Sequence, residues 1–300
     1  MRVLVTGASG GVGSAIVRRL EEEARWAPVA LDRTAPRHGL NGVVRSGTVL
    51  ADIRDEAIDD VVSGAIDAVV HCAARIPGPD AGEDVCAADN RRIDERVLQF
   101  CEARKIPAIL FSTAAVYLRR ADGAWVDERS PVEPTGLYAA AKLESEQRFL
   151  NLAAPGAAVF RITSPYGPEQ HTENVIRRFC RAVANGQRLD VWGSGSREQD
   201  FVHVEDVARA VVAALRVERF PAGLYLVAAG RPTTMIDLAR ATLRAAGVAE
   251  QPAVGAQPDP EDGRTARYDI SRARTHLGWA PQISLAEGIA SCLRAWHGHE

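Results

Sequence analysis

The feature that most constrains the fold is the first turn of the chain, Val3-Leu4-Val5-Thr6-Gly7-Ala8-Ser9-Gly10-Gly11-Val12-Gly13. A short apolar, β-branched run reads as a buried strand, and the glycines after it let the backbone turn tightly before a helix begins. Free amides at that helix's N-terminus, with its partial positive charge, suit a pyrophosphate. The spacing is G-x-x-G-x-x-G, looser than the G-x-G-x-x-G dinucleotide fingerprint. A glycine-rich turn without a ligand is the alternative, and residues elsewhere decide between the two.

Val29-Ala30-Leu31 is the next strand and ends in Asp32. An acidic residue roughly twenty residues past the glycines is placed to accept hydrogen bonds from an adenosine ribose. Its charge favours NAD over a 2′-phosphorylated cofactor, whereas Arg33 beside it would attract one, so NADP stays open. At Asp52-Ile53-Arg54-Asp55 a strand end turns into a helix, with Asp55 as its expected cap. There Asp52 is placed to bond an adenine amine and Ile53 to cover the ring. Ala68-Val69-Val70-His71-Cys72-Ala73-Ala74 is a further buried strand whose small terminal residues leave room for a cofactor, and His71 reads as a packed strand-end histidine.

Residues 83–103 read as a long helix, followed by a strand ending at Ser112-Thr113. Strands alternating with helices imply a parallel sheet covered on both faces, with the chemistry beyond the carboxyl ends of its strands. The fold expected is α/β, a Rossmann-like doubly wound sheet over 1–164, with 188–220 returning to it. A smaller α/β substrate lobe is expected over 165–300, interleaved with the first. Apolar helical spacing marks 174–185, 207–217, 235–246 and 284–296, and the Pro- and Gly-rich stretch 247–263 reads as a surface loop.

Tyr138 and Lys142 stand one helical turn apart in a helix expected over 134–151. Positions i and i+4 share a face, so phenol and ammonium reach one ligand. Tyrosine, with a pKa of about 10, is a poor base at neutral pH unless a positive charge favours the phenolate. With that help Tyr138 can take a proton from a substrate hydroxyl or return one to a ketone, and Thr113 can bond the same oxygen.

A net charge of −3 over 300 residues gives no general attraction to nucleic acid or to anionic membrane. The five cysteines, Cys72, Cys86, Cys101, Cys180 and Cys292, are scattered, so no disulfide framework or metal site is expected. Met1 leads straight into a strand and no run reaches membrane-spanning length, which points to a soluble cytoplasmic protein with a small-molecule partner.

Together these residues resemble the extended short-chain dehydrogenase/reductase family, of the NAD-dependent nucleotide-sugar epimerase and dehydratase type. The resemblance spans nearly the whole chain. It takes in Thr6 to Gly13, Asp52-Ile53, His71 to Ala74, Asn90, Ser112 to Tyr117, Tyr138 with Lys142, Arg161 to Pro168, Asp200 to Asp206 and Leu277-Gly278-Trp279. It implies a Thr113-Tyr138-Lys142 catalytic set and a homodimer joined by the helices near 83–103 and 134–151. It also implies NAD held by Gly7, Gly10, Gly11, Val12, Gly13, Asp32, Arg33, Asp52, Ile53, Cys72, Ala73, Ala74, Asn90, Ser112, Tyr138, Lys142 and Pro165.

The departures bear on the substrate. Family dehydratases follow the catalytic threonine with an acidic pair, and this chain has Ala114-Ala115. Ser164 replaces an asparagine that helps hold the substrate's phosphates, and Gln199 replaces an arginine that clamps the diphosphate. A neutral amide lacks the charge-assisted fork of arginine. The second diphosphate arginine is not in place either, and Asp259 to Asp262 is acidic instead, leaving Arg197, Arg264, Arg267 or Arg177 as substitutes. Asn174 matches a substrate-contacting asparagine. The expected function is an NAD-dependent epimerase of a nucleotide-linked sugar. The alternatives are a dehydrogenase or ketoreductase of a sugar, sugar acid or related alcohol, and a non-catalytic NAD-binding protein, which the retained Tyr138 and Lys142 disfavour.

Overall fold

The computed structural model describes residues 1–36, 47–78, 80–117, 121–153, 155–170, 172–255 and 257–297. The first half runs β1 (Arg2–Thr6), α1 (Gly11–Glu21), β2 (Ala27–Asp32), β3 (Thr48–Leu50), α2 (Ile58–Val61), β4 (Ala68–His71), α3 (Glu83–Arg104), β5 (Ala108–Thr113), β6 (Trp125–Val126), α4 (Leu137–Leu150) and β7 (Ala157–Ile162). The second half runs β8 (Ser164–Tyr166), α5 (Val175–Ala184), β9 (Asp190–Val191), β10 (Glu198–His203), α6 (Val204–Arg216), β11 (Gly223–Val227), β12 (Pro232–Thr234), α7 (Met235–Ala245), β13 (Ala253–Val254), β14 (Arg267–Tyr268), α8 (Ser271–Leu277) and α9 (Leu285–His297).

Seven parallel strands form the central sheet in the order β11-β7-β5-β4-β1-β2-β3. Their apolar runs are continuous because both faces are covered, and the two-residue period of a strand deals alternate side chains to two cores. Val3, Val5, Ile109 and Phe111 enter a core closed by α1 and α6, whereas Leu4, Leu110 and Val159 enter one closed by α3 and α4. Each such side chain contributes about 1.5–3 kcal/mol on burial. The order reverses between β1 and β4, and a crevice opens there at the strands' carboxyl ends.

The smaller lobe has its own core, in which Tyr166 and Phe201 meet α5, α7 and α9. It carries the sheet β12-β10-β8 and the pair β13-β9. The return to the central sheet reaches Val227, beyond the 220 expected, because β11 pairs with β7 along its whole length. Helix α6 starts at Val204, ahead of the 207 read from apolar spacing, because the His203 ring accepts the Glu205 amide and caps it. Helix α4 starts at Leu137, whose amide the Glu83 carboxylate of α3 accepts at 2.8 Å, and not at 134.

Candidate active site

The glycine turn makes a cradle that no side chain can enter. Gly7 has φ +70°, and a Cβ there would stand 2.6 Å from the Ala73 nitrogen; a Cβ on Gly13 would stand 2.1 Å from the Gly7 carbonyl oxygen. Helix α1 follows with no side-chain cap and no acidic residue in its first turn, so its amides remain available to an anion. Gly10, Gly11 and Val12 line the same cleft, as do Asp32 and Arg33 at the end of β2. The Asp32 carboxylate accepts the amides of Ser9 and Thr34, both at 3.0 Å, and is thereby aimed across the glycine turn. Cradle, bare helix end and acidic strand end together fit a dinucleotide.

Farther along the cleft lie Asp52 and Ile53. Arg54 forks onto Asp52, with Nη2 donating at 2.6 Å, and holds its carboxyl below the usual carboxylate range. Nη1 of Arg54 reaches Asp89 at 2.7 Å, and Arg75 meets the same carboxylate at 2.6 Å. Asp55 does not cap the following helix: α2 begins only at Ile58, and Asp52 itself closes the turn by accepting the Arg54 amide. Cys72, Ala73, Ala74, Ser112, Tyr138, Lys142 and Pro165 complete the wall, joined by Gln170 and Thr172. Asn90 does not line the cleft. It is fully buried, and its amide takes the Arg75 NH at 2.7 Å and gives to the Arg75 carbonyl at 2.9 Å, pinning the loop after β4.

Tyr138 is half-buried, and Lys142 beneath it is buried with its ammonium 3.5 Å from Asp94. Burial pushes the phenol above the ordinary tyrosine value; Lys142 pulls it back down, while Asp94 and Cys86 add to the rise. The protein's own groups taken together therefore favour the phenol over the phenolate. Thr113 ends β5, and its hydroxyl accepts the Ala115 amide at 3.1 Å while facing the next cavity.

That cavity, of about 480 Å³, holds Thr113, Ala114, Ala115, Ser164, Gln199 and Arg264, and falls in the ordinary range for small-molecule pockets. Ile162 borders both spaces, so the cofactor cleft and the substrate cavity abut between Ser112 and Thr113. Gln199 spends its amide on the Ser164 hydroxyl. Arg197 faces an adjoining hollow with Asn174, Arg178 and Trp192, and Asp259 and Glu261 form the wall between. Its Nε donates to Asp259 at 2.7 Å, and Nη1 lies 3.5 Å from Glu261. Asn174 caps α5 by accepting the Arg177 amide at 2.9 Å. Among the described residues no group of three or more His, Cys, Asp or Glu stands together to hold a metal, and no helix is long and apolar enough to cross a membrane.

A doubly wound sheet with a dinucleotide cradle, a Tyr-Lys pair in the same cleft and a second cavity beside it defines a dinucleotide-binding α/β protein. It belongs to the NAD dependent epimerase/dehydratase family, whose family model matches residues 3–228. Among its relatives, it is 32% identical to a dTDP-glucose 4,6-dehydratase of Streptomyces niveus over 99% of this chain and 94% of that protein. It is 31% identical to a UDP-glucose 4-epimerase of Mycolicibacterium smegmatis over 97% and 96%. The structure superposes on the UDP-glucose 4-epimerase of Thermus thermophilus in complex with NAD, with TM-score 0.84, 26% identity and 100% coverage of both chains.

Proposed function

We propose that this chain is an NAD-dependent epimerase of a nucleotide-linked sugar, with Thr113, Tyr138 and Lys142 as its catalytic set. When bound in the cleft lined by Gly7, Asp32, Tyr138 and Lys142, the nicotinamide would supply the hydride acceptor and donor. Tyr138 takes the proton of a substrate hydroxyl whose oxygen Thr113 holds, and Lys142 stabilises the phenolate. The sugar turns as a transient ketone in the cavity beyond Thr113, and Tyr138 returns the proton when the carbon is reduced on its other face. Ala114 and Ala115 offer no acid or base beside Thr113, which argues against loss of water although the S. niveus relative is a dehydratase.

The observation that carries this reading is the abutment of the two spaces at Ile162, with Tyr138 on one side and Thr113 on the other. The inner cavity suits the sugar and the outer hollow the nucleoside, where Trp192 is 39% exposed with the Arg178 guanidinium over its ring. The diphosphate then passes Arg197. The test is to denature the purified protein, assay the supernatant for NAD, and incubate the native protein with UDP- and dTDP-sugars. Retained stoichiometric NAD and epimer formation without NADH are expected.

A dehydrogenase of a sugar, sugar acid or related alcohol would use the same residues. The specific observation in its favour is that Arg197 is already paired with Asp259. Stoichiometric NADH release from a cofactor-free preparation would establish that reading, and failure of Gln199→Arg to tighten any nucleotide sugar would support it.

We assign residues 1–164, with the return through α6 and β11, to the cofactor-binding unit and the rest of 165–300 to the substrate lobe. We also assign a cytoplasmic homodimer joined through α3 and α4, whose exposed Val85, Leu137 and Leu150 offer apolar surface. Light scattering of the purified protein tests the dimer.

A further inference from the structure

Beneath the cofactor cleft a chain of buried polar groups runs from the backbone of Ala73 to the ammonium of Lys142. The Ala73 amide donates to Thr6 Oγ1 at 3.3 Å, Thr6 Oγ1 meets His71 Nδ1 at 2.7 Å, and His71 Nε2 meets Asp94 Oδ1 at 2.8 Å. Asp94 Oδ2 accepts from Ser145 at 2.5 Å and lies 3.5 Å from Lys142 Nζ. Thr6, His71 and Asp94 are all buried, yet both ends of the chain, Ala73 and Lys142, line the cleft.

One proton arrangement satisfies every link. Asp94, held at about 2, accepts at both oxygens. His71 therefore donates from Nε2 and accepts the Thr6 hydroxyl at Nδ1, which leaves the ring neutral. Burial holds its pKa below the ordinary histidine value, in keeping with that state. The other groups facing the pair are Tyr138 on α4, Cys86 on α3 and Cys72 after β4. Glu146, one turn farther along α4, is matched by Arg161 at 2.6 Å. Lys142 is thus the cation that answers Asp94. Burying a carboxylate is costly, and an apolar side chain would fill the same space between α3 and β4 without that cost.

We propose that Asp94, held from behind by His71 and Thr6, is the positioning residue of the acid-base pair. It fixes the Lys142 ammonium under the cleft, and its carboxylate sets how much of that positive charge reaches the Tyr138 phenol. The inference rests on Tyr138 being the proton carrier proposed above.

The test compares Asp94→Asn with the unaltered enzyme across pH, with NAD bound. Loss of the carboxylate exposes the phenol to the whole ammonium and leaves that ammonium enclosed without a counter-ion. The acid limb of kcat/KM should therefore move down by about one pH unit, and activity should fall away earlier on the alkaline side. Ser145→Ala, a mild change in a helix, removes one hydroxyl from Asp94 and leaves Oδ2 to Lys142, with Oδ1 still on His71. The window should then move to higher pH, by less, and this variant serves if the asparagine variant does not fold. A tyrosinate absorbance titration, taken as the difference between each protein and the same protein carrying Tyr138→Phe, should show the same two directions without turnover. An even loss of activity at every pH, or both variants moving the same way, overturns the proposal. If the titration shifts as stated while Tyr138→Phe alone leaves turnover intact, the assignment of Tyr138 fails and the positioning by Asp94 stands.

Discussion

The cofactor cleft and the substrate cavity meet at Ile162 but spend their charges in opposite ways. On the cofactor side, Asp94 stands buried behind the wall and backs Lys142, and Arg54, in the wall itself, fixes Asp52 from the side. On the substrate side the polar groups nearest the ligand's path satisfy one another: Arg197 with Asp259, Gln199 with Ser164, Asn174 with the start of α5. The first arrangement is preorganised for one constant ligand. In the second, a group that a ligand is to engage has first to leave its internal partner.

The sharpest way to break the contrast is Tyr138→Phe. Turnover should fall about a hundred- to ten-thousandfold while NAD retention, measured on the denatured protein, stays unchanged; a parallel loss of NAD would make the tyrosine part of the cofactor grip. Next in size is Gly13→Ala. A methyl 2.1 Å from the Gly7 carbonyl forces the cradle open, and overpacking of about 1–3 kcal/mol corresponds to roughly five- to a hundred-and-fiftyfold weaker NAD binding by calorimetry. Asp259→Asn acts on the other side only. Freed from its carboxylate, Arg197 should lower the KM for a nucleotide sugar by up to about tenfold and leave NAD affinity alone; an unchanged KM would mean that the guanidinium is a structural tie.

The smallest effect is on stability against acid. His71 and His203 have folded pKa values below the ordinary histidine value, so the unfolded chain binds more protons and stability falls as pH drops below about 6.5. Asp94, lowered to about 2, contributes stability that is present above the ordinary aspartate value and is lost as pH falls from there toward 2. Melting temperature measured against pH should show both stages, and a flat profile down to pH 4 would contradict the neutral, enclosed His71.

The groups legible in the sequence were those whose role depends on local spacing. The glycine turn, Asp32 at a strand end and the one-turn separation of Tyr138 and Lys142 are set by strand and helix periods, and the crevice gathers them as expected. The resemblance gives Asn90 to the cofactor; in the structure its amide bonds the Arg75 backbone, a loop contact that no motif spells out. The backing network was hidden for a related reason. His71 and Asp94 sit on different elements and each looks ordinary alone, so only packing of α3 against β4 makes them a pair. Arg197 and Asp259 are farther apart still, and the acidic stretch read as a loop gave no sign that it would occupy the arginine. Gln170, at the wall beside Gly11, belongs to neither period and was missed.

The route of the chain between its two cores has a consequence for how such proteins diversify. After β7 the chain leaves for the smaller lobe, comes back with α6 against α1 and with β11 against β7, and leaves again for β12 and α7. No single junction therefore separates the two lobes, and a shuffled gene joined at one breakpoint would carry half of each core. Exchange of the smaller core for another therefore needs several breakpoints at once, whereas a point substitution or a change in loop length needs none.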